Sequence, residues 1–238
     1  FLIEELKTVR DALEEISGSP VTNEKLQAAI ELYNHRNAVM RAFCEAANHH
    51  LDVVKPVDRH HVMKAAAFMM PEKTIEMVSQ LTQALEALPP YPYKGKKVIL
   101  TGITCEPDDI LRYFDQCCVA VVGDDLAQES RQYRTDYPPA NSAMERLALH
   151  WFAVKGCSTA HDDNNTVRGD MLAAMAKSTG ADCVVLCMMR FCEIEEYDEP
   201  SVIAQVRKAG LMSFSIDIDQ STADSGQALT KIQAYSEN

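Results

Sequence analysis

Four short apolar runs in the second half of the chain constrain its fold more than any other feature. They cover residues 98–102, 119–123, 183–187 and 212–216, and helical patterns separate or follow them at residues 107–116, 143–154, 166–178, 201–209 and 226–235. Short β-branched runs that alternate with helices are typical of parallel βαβ units. Continuous apolar strands suit a sheet that is covered on both faces. We therefore predict a Rossmann-like or flavodoxin-like α/β domain with a four-stranded parallel sheet.

The first half of the chain follows a different pattern. Apolar residues recur there every three or four positions, which predicts four helices, the third at residues 58–70 and the fourth at residues 71–88. Three prolines and a glycine then fall within residues 89–95, and this composition favours a linker. We therefore expect a helical region over residues 1–93 and an α/β domain over residues 94–238.

The charge balance limits the kinds of partner. The 238 residues carry a formal net charge of −12, which opposes a large nucleic-acid footprint because phosphate binding depends on clustered Lys and Arg. The sequence has neither an apolar stretch long enough to span a membrane nor the pattern of a signal peptide. We expect a cytoplasmic protein that binds neither nucleic acid nor membranes. Because Phe1 falls inside a helical pattern, we also expect a longer protein.

Eight cysteines without a secretory signal predict reduced thiols that pack, bind metal or react, and no Cys-x-x-Cys pair occurs. Four of them near predicted strand ends or in loops are candidate ligands for a soft metal: Cys105, Cys157, Cys187 and Cys192. The other four are most simply small buried apolar residues: Cys44, Cys117, Cys118 and Cys183. The neighbouring histidines His49–His50 and His60–His61 do not share one helix side, so surface or interface positions are favoured over metal binding.

The carboxyl ends of parallel strands line one edge of a sheet, where open α/β sheets bind ligands. Cys192 follows the third predicted strand, so its thiol is placed for chemistry in that crevice. The other candidate lining residues follow the first two strands: Gly102, Ile103, Thr104, Cys105, Asp124, Asp125 and Arg131.

Each of these loops also has a simpler interpretation. Residues 102–107 lack the phosphate-loop pattern, so a tight turn is favoured over an anion cradle. Residues 123–131 combine acids, an amide, a hydroxyl and an arginine, and an Asx turn with a helix cap fits them as well as a site does. Periodicity alone leaves a reactive crevice and a plain binding fold equally open.

Taken together, the strand-end phrases resemble one family, the 2-hydroxyacyl-CoA dehydratases with the related ATP-dependent benzoyl-CoA reductases. The specific phrase is Met188-Met-Arg-Phe-Cys-Glu193. Supporting phrases are Ile99-Leu-Thr-Gly102, Val121-Val-Gly-Asp-Asp-Leu126, Lys155-Gly-Cys-Ser158 and Ile218-Asp-Gln220. The resemblance extends over essentially the whole chain.

The resemblance implies a subunit of an iron–sulfur 2-hydroxyacyl-CoA dehydratase. In such a subunit three cysteines hold a 4Fe-4S cluster between two α/β domains, and Cys192 matches the third of them. The first two belong to an N-terminal domain outside this sequence, so we expect no stable cluster in these residues alone. Three cysteine ligands leave one iron open to the substrate oxygen.

The implied mechanism is radical. An ATP-dependent iron–sulfur activator protein passes one electron to the cluster, the thioester carbonyl of an acyl-CoA becomes a ketyl, and water leaves as the 2-hydroxyacyl-CoA becomes an enoyl-CoA. The implied partners are this activator, the acyl-CoA substrate and a homologous second subunit. Two alternatives stay open. One is a benzoyl-CoA reductase-type subunit, which the methionines before Cys192 and the acids after it disfavour, and the other is a non-catalytic homologous partner subunit.

Overall fold

The computed structural model describes residues 1–156, 166–219 and 226–237. Four helices come first: α1 (Leu2–Ser17), α2 (Asn23–Asn48), α3 (Pro56–Phe68) and α4 (Pro71–Glu86). Gly18 ends α1 in the left-handed conformation with φ 64°, and Thr22 begins α2 by accepting a hydrogen bond from the Lys25 N–H. Both α3 and α4 start with a proline, at a position where the helix needs no N–H donor.

A parallel α/β arrangement follows these helices. Its elements are β1 (Lys96–Gly102), α5 (Asp108–Gln116), β2 (Val119–Leu126), a 3₁₀ turn (Ser130–Gln132), α6 (Ala143–Ala153), α7 (Val167–Thr179), β3 (Cys183–Met189), α8 (Glu193–Lys208), β4 (Met212–Ile218) and α9 (Gly226–Ser236). The strands lie in the order β2-β1-β3-β4, and every neighbouring pair is parallel. The predicted α/β class, with helices before a four-stranded parallel sheet, is confirmed.

Helices cover the sheet on both faces. On one face Leu100 of β1 packs in a cluster with Phe114 of α5 and Ile232 of α9. On the other face Ile99 packs with Leu172 of α7 and with apolar residues of α8. Successive residues of β1 point to opposite faces, so its continuous apolar run fills two cores. Full burial of each such side chain stabilises the fold by about 1.5–3 kcal/mol.

The helical region has a core of its own and also contacts the sheet. Phe43 of α2 and Met63 of α3 belong to a buried cluster that includes α4. The side-chain amide of Asn48 donates a hydrogen bond of 2.8 Å to the carbonyl of Val122, a group of the edge strand β2. Residues 88–95 contain neither helix nor strand, and a domain boundary at residue 93 stays a prediction. No helix of the described residues is both long enough and apolar enough to cross a membrane.

Element boundaries at the carboxyl edge of the sheet differ from those predicted. β2 continues to Leu126, so Asp124 and Asp125 lie inside a buried strand and not in a loop. β3 likewise runs on to Met189. Helix α8 begins at Glu193 rather than at residue 201, and it includes Pro200. Three acids in the first turn of α8 favour this early start, because the N-terminus of a helix is positive.

Candidate functional site

The carboxyl ends of β1 and β3 lie side by side at the centre of the sheet. From β1 the chain crosses to β2 on one side, and from β3 it continues to β4 on the other. Open α/β sheets bind ligands at such a switch point, because the connections leave in opposite directions and open a crevice. Residues 103–107 after β1 and residues 190–192 after β3 border this crevice, which is the candidate site.

Gly102 allows the two central strands to meet closely. Its φ is 143°, and a Cβ atom added there would lie 2.3 Å from the carbonyl oxygen of Cys187. Only glycine combines this backbone conformation with the space that is left. The predicted site residue Gly102 therefore sets the separation of the strands on which the crevice is built.

Cys105 and Cys187 form a buried thiol pair beside the crevice. Both side chains are fully buried. The hydrogen bond with Cys187, together with burial, raises the pKa of Cys105 well above its ordinary value. The two buried thiols pack against each other here, and the raised pKa makes Cys105 a poor nucleophile. The neighbouring Thr104 is also buried, and its hydroxyl has no hydrogen-bond partner among the described residues.

Cys192 is placed differently from this thiol pair. It is the N-cap residue of α8, it is partly exposed, and its N–H donates to the carbonyl of Met189 at 3.1 Å. The preceding Phe191 has a φ of 66° and is 96% exposed, so the chain turns sharply outward before the helix. Cys192 thus occupies the N-cap position of α8, and its side chain makes no capping hydrogen bond.

Within the described ranges, the residues at the crevice do not form a complete metal site. No group of three or more His, Cys, Asp or Glu side chains that could hold a metal occurs within residues 1–156, 166–219 and 226–237. Cys157, another candidate ligand, lies outside these ranges. An accessible thiol at a helix N-terminus fits one corner of an iron–sulfur cluster, since thiolates bind the iron and N–H donors stabilise its anionic charge. Such a cluster needs further ligands from outside the described residues.

Asp125 lies at the centre of a buried ion-pair network. Its fully buried carboxylate accepts hydrogen bonds from Arg131 Nε and Nη2 at 3.0 and 2.9 Å and from Arg168 Nε at 3.1 Å. Arg134 and Thr101 donate to the same carboxylate. Burial by itself raises the pKa of Asp125, but Arg131 and the other two guanidinium groups outweigh it and lower this pKa. Asp125 and Arg131 are therefore charged and bound to each other.

Arg168, which the sequence patterns did not indicate, connects this network to the turn of Cys192. Its Nη2 donates to Thr101 Oγ1 at 2.9 Å and to Glu195 Oε2 at 2.7 Å, and its Nη1 lies 3.4 Å from Asp198 Oδ2. Glu195 is the third residue of α8 and is buried. One feature of the sequence could have indicated Arg168, which lies in the first turn of α7. A cation is unfavourable at the N-terminus of a helix unless buried acids compensate it.

Asp124 matches the Asx-turn interpretation of residues 123–131. Its Oδ1 accepts hydrogen bonds from the N–H groups of Leu126 and Ser130 at 3.2 and 2.9 Å. The hydroxyl of Ser130 donates in return to the carbonyl of Asp124 at 2.6 Å. The other carboxylate oxygen lies 4.0 Å from Arg59 of α3. Asp124 therefore shapes the turn after β2 and faces the helical region.

His60 joins α3 to both loops at this edge. Its Nδ1 lies 2.7 Å from Glu129 Oε1 and its Nε2 lies 3.1 Å from Glu106 Oε1, while Lys64 pairs with the same oxygen of Glu106. Burial lowers the pKa of His60, but the two carboxylates outweigh it and raise this pKa. Burial also raises the pKa of Glu129. His60 thus lies in an interface between α3 and the two loops. The sequence predicted a surface or an interface position for the paired histidines.

Two open cavities have linings that exclude residues 190–192. One of about 480 Å³ lies between α2, β2 and α7 and includes Arg59 and Asp124 in its lining. The other, of about 380 Å³, is bordered by Lys64 and Glu106. Cys192 therefore opens onto the surface of the crevice rather than into either cavity.

Residues 1–238 match the family described as 2-hydroxyglutaryl-CoA dehydratase, D-component. The chain is 40% identical over 237 residues to the (R)-phenyllactyl-CoA dehydratase beta subunit of Clostridium sporogenes. It is 39% identical over 238 residues to the beta subunit of lactoyl-CoA dehydratase from Anaerotignum propionicum, and both comparisons cover 100% of this chain and 63% of the relative. A benzoyl-CoA reductase subunit from Thauera aromatica is 24% identical over 82% of the chain and 52% of the relative. The chain thus spans less than two thirds of the relatives it matches.

Proposed function

The chain belongs to the 2-hydroxyglutaryl-CoA dehydratase D-component family, and from that premise we propose that it is part of a beta-type subunit of a 2-hydroxyacyl-CoA dehydratase. Such an enzyme removes water from a 2-hydroxyacyl-CoA and leaves an enoyl-CoA. The observation that carries this proposal is the position of Cys192, a partly exposed thiol at the switch point between β1 and β3.

We assign Cys192 as one ligand of a 4Fe-4S cluster in the complete subunit. A bound cluster of this kind supplies single electrons of low potential to the thioester carbonyl of the substrate. Cys192 contributes a thiolate at the carboxyl edge of the sheet. The N-terminus of α8 is positive, and its dipole favours a thiolate at the N-cap position.

The loop after β1 forms the second wall of the crevice. Gly102 lets this wall approach β3, and the buried thiols of Cys105 and Cys187 keep its interior free of water. Thr104 adds one buried hydroxyl that can donate to a bound group. A dry wall strengthens electrostatic interactions in the crevice and excludes side reactions with water.

The complete enzyme needs partners beyond this chain. We propose an ATP-dependent iron–sulfur activator protein as the electron donor, a homologous second subunit, and an acyl-CoA as the substrate. The dehydratase subunits are more similar to this chain than the benzoyl-CoA reductase subunit is, so we place the reductase activity second. A non-catalytic partner subunit is the third candidate, and it predicts a protein without iron at Cys192.

Anaerobic purification of the full-length subunit with its partner tests the assignment. We expect about four iron atoms per cluster-bearing subunit and their loss in Cys192→Ser. The matched control is Cys118→Ser, because Cys118 is exposed but precedes β2, at the opposite edge of the sheet. Iron-free protein, or equal iron loss in both variants, contradicts the assignment. Assays with 2-hydroxyacyl-CoA and aromatic acyl-CoA thioesters then separate dehydratase from reductase activity.

A further inference from the structure

The first turn of α8 is anchored through a buried acid. Glu195 is 4% exposed, and its two oxygens lie 2.7 Å from Arg168 Nη2 and 3.8 Å from Arg131 Nη2. Glu195 is the third residue of α8, and Cys192 is the N-cap residue of the same helix. The contacts of Glu195 therefore hold the helix turn that carries Cys192.

Arg168 fixes Glu195 to the sheet. Its guanidinium is also bound to Asp125 of β2 at 3.1 Å and to Thr101 of β1 at 2.9 Å, and the whole residue is 8% exposed. The planar fork of a guanidinium holds several acceptors in fixed directions, which the single ammonium of a lysine cannot do. One continuous chain of buried contacts thus runs from the ends of the two strands to the turn of Cys192.

We propose that Arg168 and Glu195 are positioning residues for Cys192, and that their opposite charges set the reduction potential of a cluster bound to it. This inference rests on the proposed function. Reduction adds one negative charge to a cluster, so the guanidinium of Arg168 favours the reduced form and the carboxylate of Glu195 disfavours it. Both charges are buried, and water and salt screen them weakly.

Redox titration of the full-length subunit in its complex, followed by EPR spectroscopy, tests this proposal. Arg168→Gln removes a positive charge, so we expect a lower midpoint potential. Glu195→Gln removes a negative charge, so we expect a higher one. The double variant removes one charge of each sign and returns towards the wild-type potential. A purely structural role predicts loosening of the turn in both single variants, and hence no opposite shifts.

Arg146→Gln is the matched control. Arg146 is 7% exposed, pairs with Glu31 and donates to the carbonyl of Pro138 at 2.9 Å, so these contacts lie outside the network of Asp125. We expect this variant to leave the potential unchanged. Potential shifts of the same sign in Arg168→Gln and Glu195→Gln, or shifts equal to those of Arg146→Gln, overturn the proposal.

A second pair of variants covers the case in which Arg168→Gln does not fold. Arg168→Lys keeps the charge but loses the forked contact, so we expect an altered EPR spectrum with a small shift in potential. An unchanged spectrum in Arg168→Lys together with an unshifted potential in Glu195→Gln overturns the inference. A wild-type subunit without iron has a different meaning, because it overturns the proposed function itself.

Discussion

Nδ1 of His60 and Oε1 of Glu129 lie 2.7 Å apart, and this contact joins the helical region to the turn that follows β2. The second ring nitrogen of His60 faces Glu106, in the loop that follows β1. One imidazole therefore connects α3 to both loops at the carboxyl edge. A protonated ring donates to both carboxylates, so the strength of this connection depends on pH.

The stability of the protein should fall as pH rises past the raised pKa of His60. Because this pKa exceeds its ordinary value of 6.5, the stabilisation from His60 is complete below that value and is lost above the folded-state pKa. The raised pKa of Glu129 acts in the same direction at lower pH. In urea unfolding we expect wild-type stability to fall through this residue as pH rises from the ordinary His pKa through the raised folded-state pKa.

His60→Gln should remove most of that pH dependence, because an amide can replace one hydrogen bond but carries no charge. We expect this variant to be less stable near pH 6 by about 1–3 kcal/mol, since a buried acceptor loses its partner. His61→Gln is the control. His61 pairs with Asp108 at the protein surface, where an ion pair contributes about 0–1 kcal/mol. If the free energy of unfolding depends on pH equally in wild type and His60→Gln, groups other than His60 determine that dependence.

Asp125→Asn should be among the most destabilising isosteric changes in the chain. It leaves buried guanidinium groups without their carboxylate, and we expect a loss of about 3–5 kcal/mol in the free energy of unfolding. The control Asp136→Asn breaks a half-exposed pair with Arg41 and should cost about 0–1 kcal/mol. Because the pKa of Asp125 is lowered, its stabilisation is lost as pH falls, so the difference between the two variants should shrink in acid.

Gly102→Ala should separate the central strands. The added methyl group would lie 2.3 Å from the carbonyl oxygen of Cys187, so β1 or β3 must move. Alanine also has an unfavourable backbone φ at this position. We expect a loss of about 3 kcal/mol or more. Gly180→Ala shares a positive φ of 68° but has open space around it, and should cost about 1–2 kcal/mol. Urea unfolding measures the loss of stability in both variants. Equal losses would show that the close approach of the two strands adds nothing to the cost of the positive φ.

Local patterns were sufficient to predict the fold because each strand and helix carries its own signal. The apolar run of β1 and the periodic residues of α2 both report burial within a few residues of sequence. The ends of the strands and helices were harder to predict from the sequence. Asp124 and Asp125 read as a loop because acids are rare in strands. Only the folded protein shows what compensates their burial, which is backbone N–H groups for Asp124 and arginines for Asp125.

The candidate site was predictable only in part. Cys192 follows an apolar run, so its place at the carboxyl edge was visible in the sequence. Arg168 lies 43 residues from Asp125 and 27 from Glu195, and no local pattern records such a pairing. The different burial of Cys105 and Cys192 was equally hidden from local patterns, since both follow strands and only the packing around each thiol sets its exposure.

That distinction predicts different reactivities towards iodoacetamide, which alkylates the thiolate form. In the native iron-free chain near neutral pH, Cys192 and Cys118 should be alkylated first because both are accessible. Cys105 is buried with a raised pKa, and burial raises the pKa of Cys183 to about 12, so both should react only after urea unfolding. Peptide mass spectrometry with and without urea measures the order. Rapid alkylation of native Cys105 would contradict the buried pair with Cys187 and make Cys105 a candidate cluster ligand again.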